Sequence, residues 1–193
     1  IFSGYRKRVF PVGLPKLDRL SGIASVNGEY VLYLAQKYPE ASLVECVLKE
    51  VEQDLKIPVF VRNHPQYPVA IRHASGLELP LVNGRSIADC GYEEQLANAS
   101  WVLTSHSTGG LEALYLGKNV VLLPNHGLTA WPDYPGVAFE ISARAVLQAL
   151  DRTRAYRKDI DLFLRNSIGA GYGCNTGKAV SVVYSLVERV KSP

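Results

Sequence analysis

The sequence predicts an α/β fold in which a doubly wound parallel sheet is covered by helices. Short apolar runs alternate along the chain with segments of helical periodicity, which is the pattern of repeated strand–helix units. "WVLTS" and "NVVLLP" are apolar at most positions, as expected for strands that are buried on both faces. The small polar residues of "SHSTGG" follow "WVLTS" directly, at the carboxyl end of a strand, where ligands bind in such sheets.

The first clear elements are a strand, a helix and a second strand. "EYVLYLAQ" at 29–36 favours a strand, and "LVECVLKEVEQDL" at 43–55 repeats apolar residues at helical spacing. Ser42 and Glu45 form the pattern of a capping box at the start of that helix. "PVFVR" at 58–62 is the next strand, and the prolines of "NHPQYP" end it.

The rest of the chain continues the alternation. Further strands are predicted at 8–12, 77–82, 101–105, 119–124 and 137–142, and further helices at 92–99 and 110–117. Gly117 is expected to end the helix before it in the left-handed conformation. From Ser142 onward the chain is predicted to be mostly helical, with breaks near 151–156 and at 169–177.

Composition restricts the class of protein. The chain has 193 residues, of which 47% are hydrophobic and 20% charged, as expected for one globular, soluble domain. The net charge of +3, with no basic block longer than "YRKR", does not indicate a nucleic-acid surface. Three widely spaced cysteines suit a reducing cytosol. The chain begins at Ile1 and contains no methionine, so we expect it to be a piece of a longer polypeptide.

The segment "SHSTGG" predicts an anion site. Ser105, Ser107 and Thr108 carry hydroxyl groups, and Gly109 and Gly110 would let a ligand approach the backbone. The first N–H groups of the following helix have no partner inside the helix, and the helix dipole favours a phosphate or carboxylate there. The alternative is that Ser107 or Thr108 only caps the helix.

Other polar residues are candidates for the same edge of the sheet. Arg62 ends the strand "PVFVR" and His64 follows it, so the imidazole should project from the same edge as "SHSTGG", unless His64 is a structural histidine of the core. His106 either contacts a ligand or packs within its loop. Glu112, placed in the first helical turn, either complements the helix dipole or accepts hydrogen bonds from ribose hydroxyls.

Two motifs are set aside. "GYGCNTGK" at 171–178 lacks the spacing of a phosphate-binding loop and is interpreted as a helix–helix connection. "DID" at 159–161 resembles a metal-binding Asp-x-Asp, but residues two apart on a helix point in different directions. We therefore expect no metal site.

Three segments together resemble a known family. "VGLPKLD", "VRNHP" and "YEEQLANASWVLTSHSTGGLEALYLGKNVV", which lie within about residues 10–125, resemble the C-terminal, donor-binding half of GT-B glycosyltransferases. The nearest relatives are bacterial capsule and teichoic-acid enzymes: Kdo or sialic-acid transferases of the His-Pro type and CDP-glycerol glycerophosphotransferases. The resemblance implies one Rossmann-like, nucleotide-sugar-binding domain over 1–193, with its C-terminal helices from about 142. The N-terminal acceptor-binding domain of a GT-B enzyme is expected to be absent.

The resemblance also implies roles for the candidate residues. His64 would approach the donor phosphate as the catalytic residue, with Arg62 beside it. Phosphate and nucleotide would be held by Ser105, Ser107, Thr108, Gly109 and Gly110. Fixed N–H dipoles, hydroxyls and an imidazolium would stabilise the charge on the leaving nucleotide without a metal.

The expected function is that of a donor-binding domain in cell-surface polysaccharide synthesis. The resemblance favours a CMP- or CDP-activated donor over a UDP donor, with no separate cofactor. It implies a glycan acceptor and the missing N-terminal domain as partners, no nucleic acid, and a cytoplasmic location at the inner face of the membrane with peripheral association. The isolated chain is expected to be inactive. The alternatives are a UDP-N-acetylglucosamine 2-epimerase-like domain and a non-catalytic nucleotide-binding module.

Overall fold

A four-stranded parallel sheet is the centre of the structure. The computed structural model describes residues 14–37, 39–66, 71–125, 131, 134–168 and 176–183. Its strands are β1 (Val31–Leu34), β2 (Val59–Arg62), β3 (Leu81–Val82), β4 (Arg85–Ser86), β5 (Trp101–Thr104) and β6 (Asn119–Leu122). Four of them form the main sheet in the order β2-β1-β5-β6, with every neighbouring pair parallel. The predicted α/β fold with a parallel sheet is confirmed.

Helices connect and cover these strands. They are α1 (Ala41–Leu55), α2 (Tyr92–Asn98), α3 (Thr108–Tyr115), α4 (Ala143–Ala155) and α5 (Arg157–Ile168), together with short 3-10 helices at Pro15–Leu20 and Ile87–Asp89. Residues 176–183 are also helical. None of the helices within the described ranges is both long enough and apolar enough to cross a membrane.

The chain divides into two compact units. One consists of residues 23–163 and contains the main sheet with α1 to α4, and the other consists of residues 1–22 and 164–193. Within the second unit, the backbone N–H of Thr176 donates to the Asp18 carboxylate at 2.6 Å. The candidate residues of the sequence analysis all belong to the first unit.

The main sheet is doubly wound about β1 and β5. The chain runs from β1 through α1 to β2 on one side, and from β5 through α3 to β6 on the other. Because crossovers between parallel strands are right-handed, α1 and α3 lie on opposite faces of the sheet. The topological switch point therefore lies between β1 and β5, and the carboxyl ends of these strands form the crevice where such sheets bind ligands.

The packing of side chains agrees with this arrangement. All residues of β1 and β5 are buried. On one face Tyr33 and Trp101 share a core cluster with residues of α1 and α4, such as Leu48 and Val146. Each such side chain contributes about 1.5–3 kcal/mol to stability by leaving water. The other face of the sheet is covered by α3.

One strand prediction was wrong, and a second was confirmed only in part. At 137–142 the described backbone makes only an isolated parallel bridge between Val137 and Leu122, and Phe139 is 82% exposed. At 77–82 only β3 forms, and it pairs with β4 outside the main sheet. Asn83 and Gly84 both have positive φ, at 51° and 75°, which suits the tight turn of a two-residue hairpin. The "NG" pair thus directs this segment back on itself.

The observed start of α1 explains why the predicted capping box is absent from the structure. α1 begins at Ala41, with Glu40 as its N-cap and no side-chain cap, so Ser42 lies inside the helix. The Ser42 hydroxyl donates to the Glu40 carboxylate at 3.0 Å, and Glu45 accepts from the backbone N–H of Arg72 at 2.6 Å. The predicted capping box does not form because the helix starts earlier than expected.

Other local predictions are confirmed. Gly117 follows α3 with a φ of +78°, and the break between α4 and α5 falls at Tyr156. The predicted strand at 8–12 and most of the predicted break at 169–177 lie outside the described residues.

Candidate functional site

The candidate residues follow the carboxyl ends of two strands that flank β1. Arg62 is the last residue of β2, and His64 lies two residues beyond it. Ser105 follows β5, and Ser107 is the N-cap of α3. With β1 between them, β2 and β5 lie roughly 10 Å apart in the sheet. The fold therefore brings both groups of residues to one edge, on either side of β1.

The first turn of α3 is capped by Ser107. The Ser107 hydroxyl accepts a hydrogen bond from the backbone N–H of Gly109 at 3.1 Å, and the N–H of Gly110 donates to the Ser107 carbonyl at 3.0 Å. These two N–H groups were expected to be open to a ligand, and they are satisfied within the turn instead. The capping alternative thus describes Ser107. The positive end of the helix dipole still lies at this edge.

The two glycines of α3 are sites of close packing. A Cβ on Gly109 would lie 2.7 Å from the Leu34 side chain and 2.7 Å from the Tyr92 hydroxyl oxygen. A Cβ on Gly110 would lie 2.6 Å from the ring of Trp131. Both distances are shorter than real Cβ contacts, so a side chain at either position would force the neighbouring side chains to shift.

Ser105 and Thr108 differ in their exposure. Ser105 is 3% exposed and lies in the interior, whereas Thr108, the first residue of α3, is exposed. Of the predicted hydroxyl donors, Thr108 is therefore the one at the surface of the edge.

Arg62 provides a positive charge at this edge. Its side chain is half-buried, and one guanidinium nitrogen, Nη1, donates to the side-chain oxygen of Gln95 at 2.5 Å. The guanidinium carbon lies 5.2 Å from the centre of the Tyr92 ring, at the distance of a cation–π contact. Among the described residues, no carboxylate forms an ion pair with Arg62, so its charge is not neutralised by the protein there.

Tyr92 and Gln95 were missed by the sequence analysis as site residues. Both lie on α2, and Tyr92 contacts Arg62 with its ring while its hydroxyl lies against the first turn of α3. Gln95 is 33 residues from Arg62 in the sequence, and only the tertiary fold brings them together. Tyr92 therefore links the two groups of candidate residues.

The two candidate histidines, His64 and His106, lie at the same edge. The Nδ1 atom of His64 accepts from the backbone N–H of Gln66 at 3.2 Å, and the side chain is half-buried. A neutral ring with Nδ1 as acceptor carries its proton on Nε2. His106 is exposed, and its Nδ1 atom lies 3.0 Å from the side-chain amide nitrogen of Asn125, which joins the loops after β5 and β6.

Glu112 is placed differently from the prediction. It is the fifth residue of α3, beyond the first turn, and it is completely buried. The expectation of a first-turn position was wrong because the helix begins at Thr108 rather than Gly110. A contact with ribose would require the side chains around Glu112 to move, and that role stays a prediction.

A separate cleft lies at the opposite edge of the sheet. It has a volume of about 570 Å³ and is lined by Gly28 and Glu29 before β1, by Lys56 to Pro58 before β2, and by residues 78–81. Since these residues precede the strands, the cleft is remote from the carboxyl edge. Over the part of the chain that the structure describes, no three His, Cys, Asp or Glu side chains come together as a metal ion would require.

Comparisons with known proteins show the fold. No protein-family model and no curated protein matches the chain. Two solved structures of a variant of the wall teichoic acid polymerase TagF, soaked with CDPG for 30 and 15 minutes, are similar to it. Their TM-scores are 0.54 and 0.53, at 13% and 16% sequence identity. The alignments cover 97% and 95% of this chain but 53% and 52% of TagF, so the chain spans about half the length of the structures it matches. At this identity the comparisons show a shared GT-B-like, Rossmann-like α/β fold.

Proposed function

We propose that this chain is the donor-binding half of a metal-independent GT-B transferase of cell-surface polysaccharide synthesis. It binds a nucleotide-activated donor through the phosphates at the carboxyl edge of the main sheet. The observation that carries this proposal is the setting of the Arg62 guanidinium. No described carboxylate neutralises its charge, and Tyr92 contacts both the guanidinium and the first turn of α3.

The chemistry of donor cleavage suits such an edge. Breaking the bond to the donor phosphate builds negative charge on the leaving nucleotide, and fixed positive groups stabilise that charge most where water is excluded. Arg62 supplies a permanent cation, and the amino end of α3 adds a partial positive charge. His64, on the same side of β1 as Arg62, is proposed to approach the phosphate as the catalytic residue.

The remaining contacts are assigned by their exposure. Thr108 is proposed to donate its hydroxyl to the phosphate, whereas Ser107 and the two glycines shape the turn that presents it. Ser105 and Glu112 are buried and would reach the nucleotide only after a local rearrangement. A cytidine nucleotide is favoured because the sequence resembles enzymes that use CMP or CDP donors and because the similar TagF structures were soaked with CDPG.

The proposal includes the setting of the whole protein. The reactive cleft of a GT-B enzyme lies between two halves, and this chain corresponds to about half of TagF. An N-terminal domain that binds a glycan acceptor is therefore proposed as the partner, at the inner face of the membrane. These 193 residues alone are expected to bind donor without transferring it.

A nucleotide panel tests the proposal. Thermal and chemical denaturation are measured with CMP, CDP, UDP, GDP and ADP in the presence of a chelator. Binding should stabilise the folded chain by about 2.7 kcal/mol at a hundredfold excess over the dissociation constant. Arg62→Gln, which we expect to weaken binding tenfold or more, should reduce this stabilisation to about 1.4 kcal/mol or less, whereas Arg144→Gln, at an exposed position of α4, should leave it intact. No stabilisation by any nucleotide at millimolar concentration would contradict the proposal.

A further inference from the structure

The guanidinium of Arg62 is held by α2 from two directions. The side-chain oxygen of Gln95 accepts from Nη1, and the ring of Tyr92 lies beneath the guanidinium carbon. A guanidinium has five N–H donors, and among the described residues the structure shows Gln95 as the hydrogen-bond acceptor for Arg62. One of these donors is used to hold the group against α2.

The amide of Gln95 has a fixed orientation. Its nitrogen donates to the backbone carbonyl of Ile87 at 2.8 Å, so its oxygen is the atom that faces Arg62. The side chain is 1% exposed, and α2 is anchored by the Tyr30 hydroxyl, which donates to the backbone carbonyl of Gln95. Because both ends of the amide are bonded, it cannot turn its nitrogen toward the guanidinium without losing two hydrogen bonds.

A neutral acceptor differs from a carboxylate in this position. An aspartate or glutamate would also hold the guanidinium, but it would cancel the positive charge. Gln95 fixes the direction of Arg62 and leaves the charge intact. Tyr92 acts in the same sense, since an aromatic face attracts a cation without neutralising it.

From this geometry we infer that Gln95 is a positioning residue of the donor site, which holds Arg62 as a fixed, uncancelled cation for a phosphate group, with Tyr92 as the second support. The inference rests on the proposed function, because it assigns the phosphate of the donor as the anion that Arg62 receives. Gln95 itself does not touch the donor. Its effect on binding passes through the guanidinium.

Calorimetric titration of the 193-residue chain with CDP, inorganic pyrophosphate and cytidine tests the inference. Gln95→Glu places a carboxylate against Arg62, and we expect it to weaken CDP and pyrophosphate binding at least tenfold. Cytidine affinity should change less than twofold, because cytidine carries no phosphate. Gln53→Glu adds the same charge at an exposed position of α1 and should leave all three affinities within twofold.

A double-mutant cycle separates positioning from a general structural effect. Arg62→Gln alone should weaken CDP binding about tenfold or more, and adding Gln95→Met, which introduces no charge of its own, should cause little further loss, since the two residues act through one contact. Gln95→Met keeps the side-chain volume without a charge, and it provides the test if Gln95→Glu does not fold. It should weaken CDP binding severalfold, again with cytidine unaffected.

The outcomes distinguish the two proposals. If the wild-type chain binds CDP while the Gln95 variants bind it within twofold of wild type, the inference is overturned and the proposed function stands. The inference is also overturned if the loss of CDP affinity caused by a Gln95 substitution adds fully to the loss caused by Arg62→Gln. It is likewise overturned if the Gln95 substitution weakens cytidine binding by the same factor as CDP binding. If the wild-type chain binds neither pyrophosphate nor any of the five nucleotides, both the proposed function and the inference fail.

Discussion

Replacement of Glu52 by glutamine tests how a buried carboxylate holds the first half of the fold together. Glu52 lies on α1 and is 6% exposed. Its Oε2 atom accepts from the backbone N–H of Val59 at 2.9 Å and from the Ser75 hydroxyl at 2.5 Å, and its Oε1 atom accepts from the N–H of Gly76 at 2.7 Å. One side chain thus ties α1 to the start of β2 and to the segment after it.

The magnitude follows from these three bonds. Glutamine has one acceptor oxygen and one donor nitrogen, so its best orientation keeps the bonds at the Oε2 position and turns an NH₂ group toward the N–H of Gly76. A hydrogen bond to a charged group contributes about 1.5–3 kcal/mol, and an unsatisfied buried donor costs a similar amount. We expect Glu52→Gln to lower the free energy of unfolding at pH 7 by about 2–3 kcal/mol.

The loss should depend on pH. Burial alone would raise the pKa of Glu52, but the Ser75 hydroxyl, two backbone N–H groups and the nearby His73 outweigh it and hold the pKa below its ordinary value. A carboxyl whose pKa is lower in the folded state contributes stability above its unfolded pKa of about 4.3. That contribution is lost as the pH falls through the folded-state pKa. The difference between wild type and variant should therefore shrink in acid.

Urea denaturation at pH 7, 5 and 3.5 measures this difference. Glu50→Gln, an exposed change on the same helix, serves as the control and should alter stability by no more than about 0.5 kcal/mol. The reasoning is refuted if Glu52→Gln costs less than 0.5 kcal/mol at pH 7, or if its cost is the same at pH 7 and pH 3.5.

Three further predictions concern single residues. Burial lowers the pKa of Lys118 to about 8, and its amine donates to the Val26 carbonyl at 2.6 Å. The unfolded chain keeps that proton up to about pH 10.4, so the free energy of unfolding of wild type should rise relative to that of Lys118→Met between pH 8 and 10. Urea denaturation measures this difference in free energy, and a difference that stays constant with pH would contradict the prediction. Gly110→Ala should cost about 1–2 kcal/mol by crowding Trp131, whereas Gly22→Ala, with no atom within 4 Å, should be nearly neutral in the same assay. His64→Ala should weaken CDP binding tenfold to a hundredfold in calorimetry and lower stability by less than 1 kcal/mol; a large stability loss with unchanged affinity would show a structural histidine.

The sequence predicted the features that local patterns determine. Strand and helix alternation reflects which side chains face the core, and the Gly117 cap reflects a conformation that glycine adopts easily. The hairpin at Asn83 and Gly84 also had a local pattern, which the interpretation of 77–82 as one strand overlooked. Glu52 follows Leu48 by four residues and shares the buried face of α1, which its charge alone does not indicate.

The remainder depends on contacts between distant segments. The bond between Arg62 and Gln95 joins two elements that are separated by the 3-10 helix and the hairpin, and no local pattern indicates it. The same holds for Tyr92 against Gly109. The alternation of strands and helices thus predicted that the candidate residues lie at the carboxyl ends of parallel strands. It did not indicate that Gln95 and Tyr92 hold the side chain of Arg62.

The position of Trp131 gives the protein an optical probe of its own. The chain has two tryptophans, and Trp101 is 2% exposed within the core, so its emission should be nearly constant. Trp131 is half-buried, packs on Gly110 in the first turn of α3, and contacts the rings of Tyr134 and Phe163. Any event that shifts this turn changes the surroundings of the indole. Rapid-mixing fluorescence of the unlabelled chain can therefore follow events at the carboxyl edge in real time, with no attached dye.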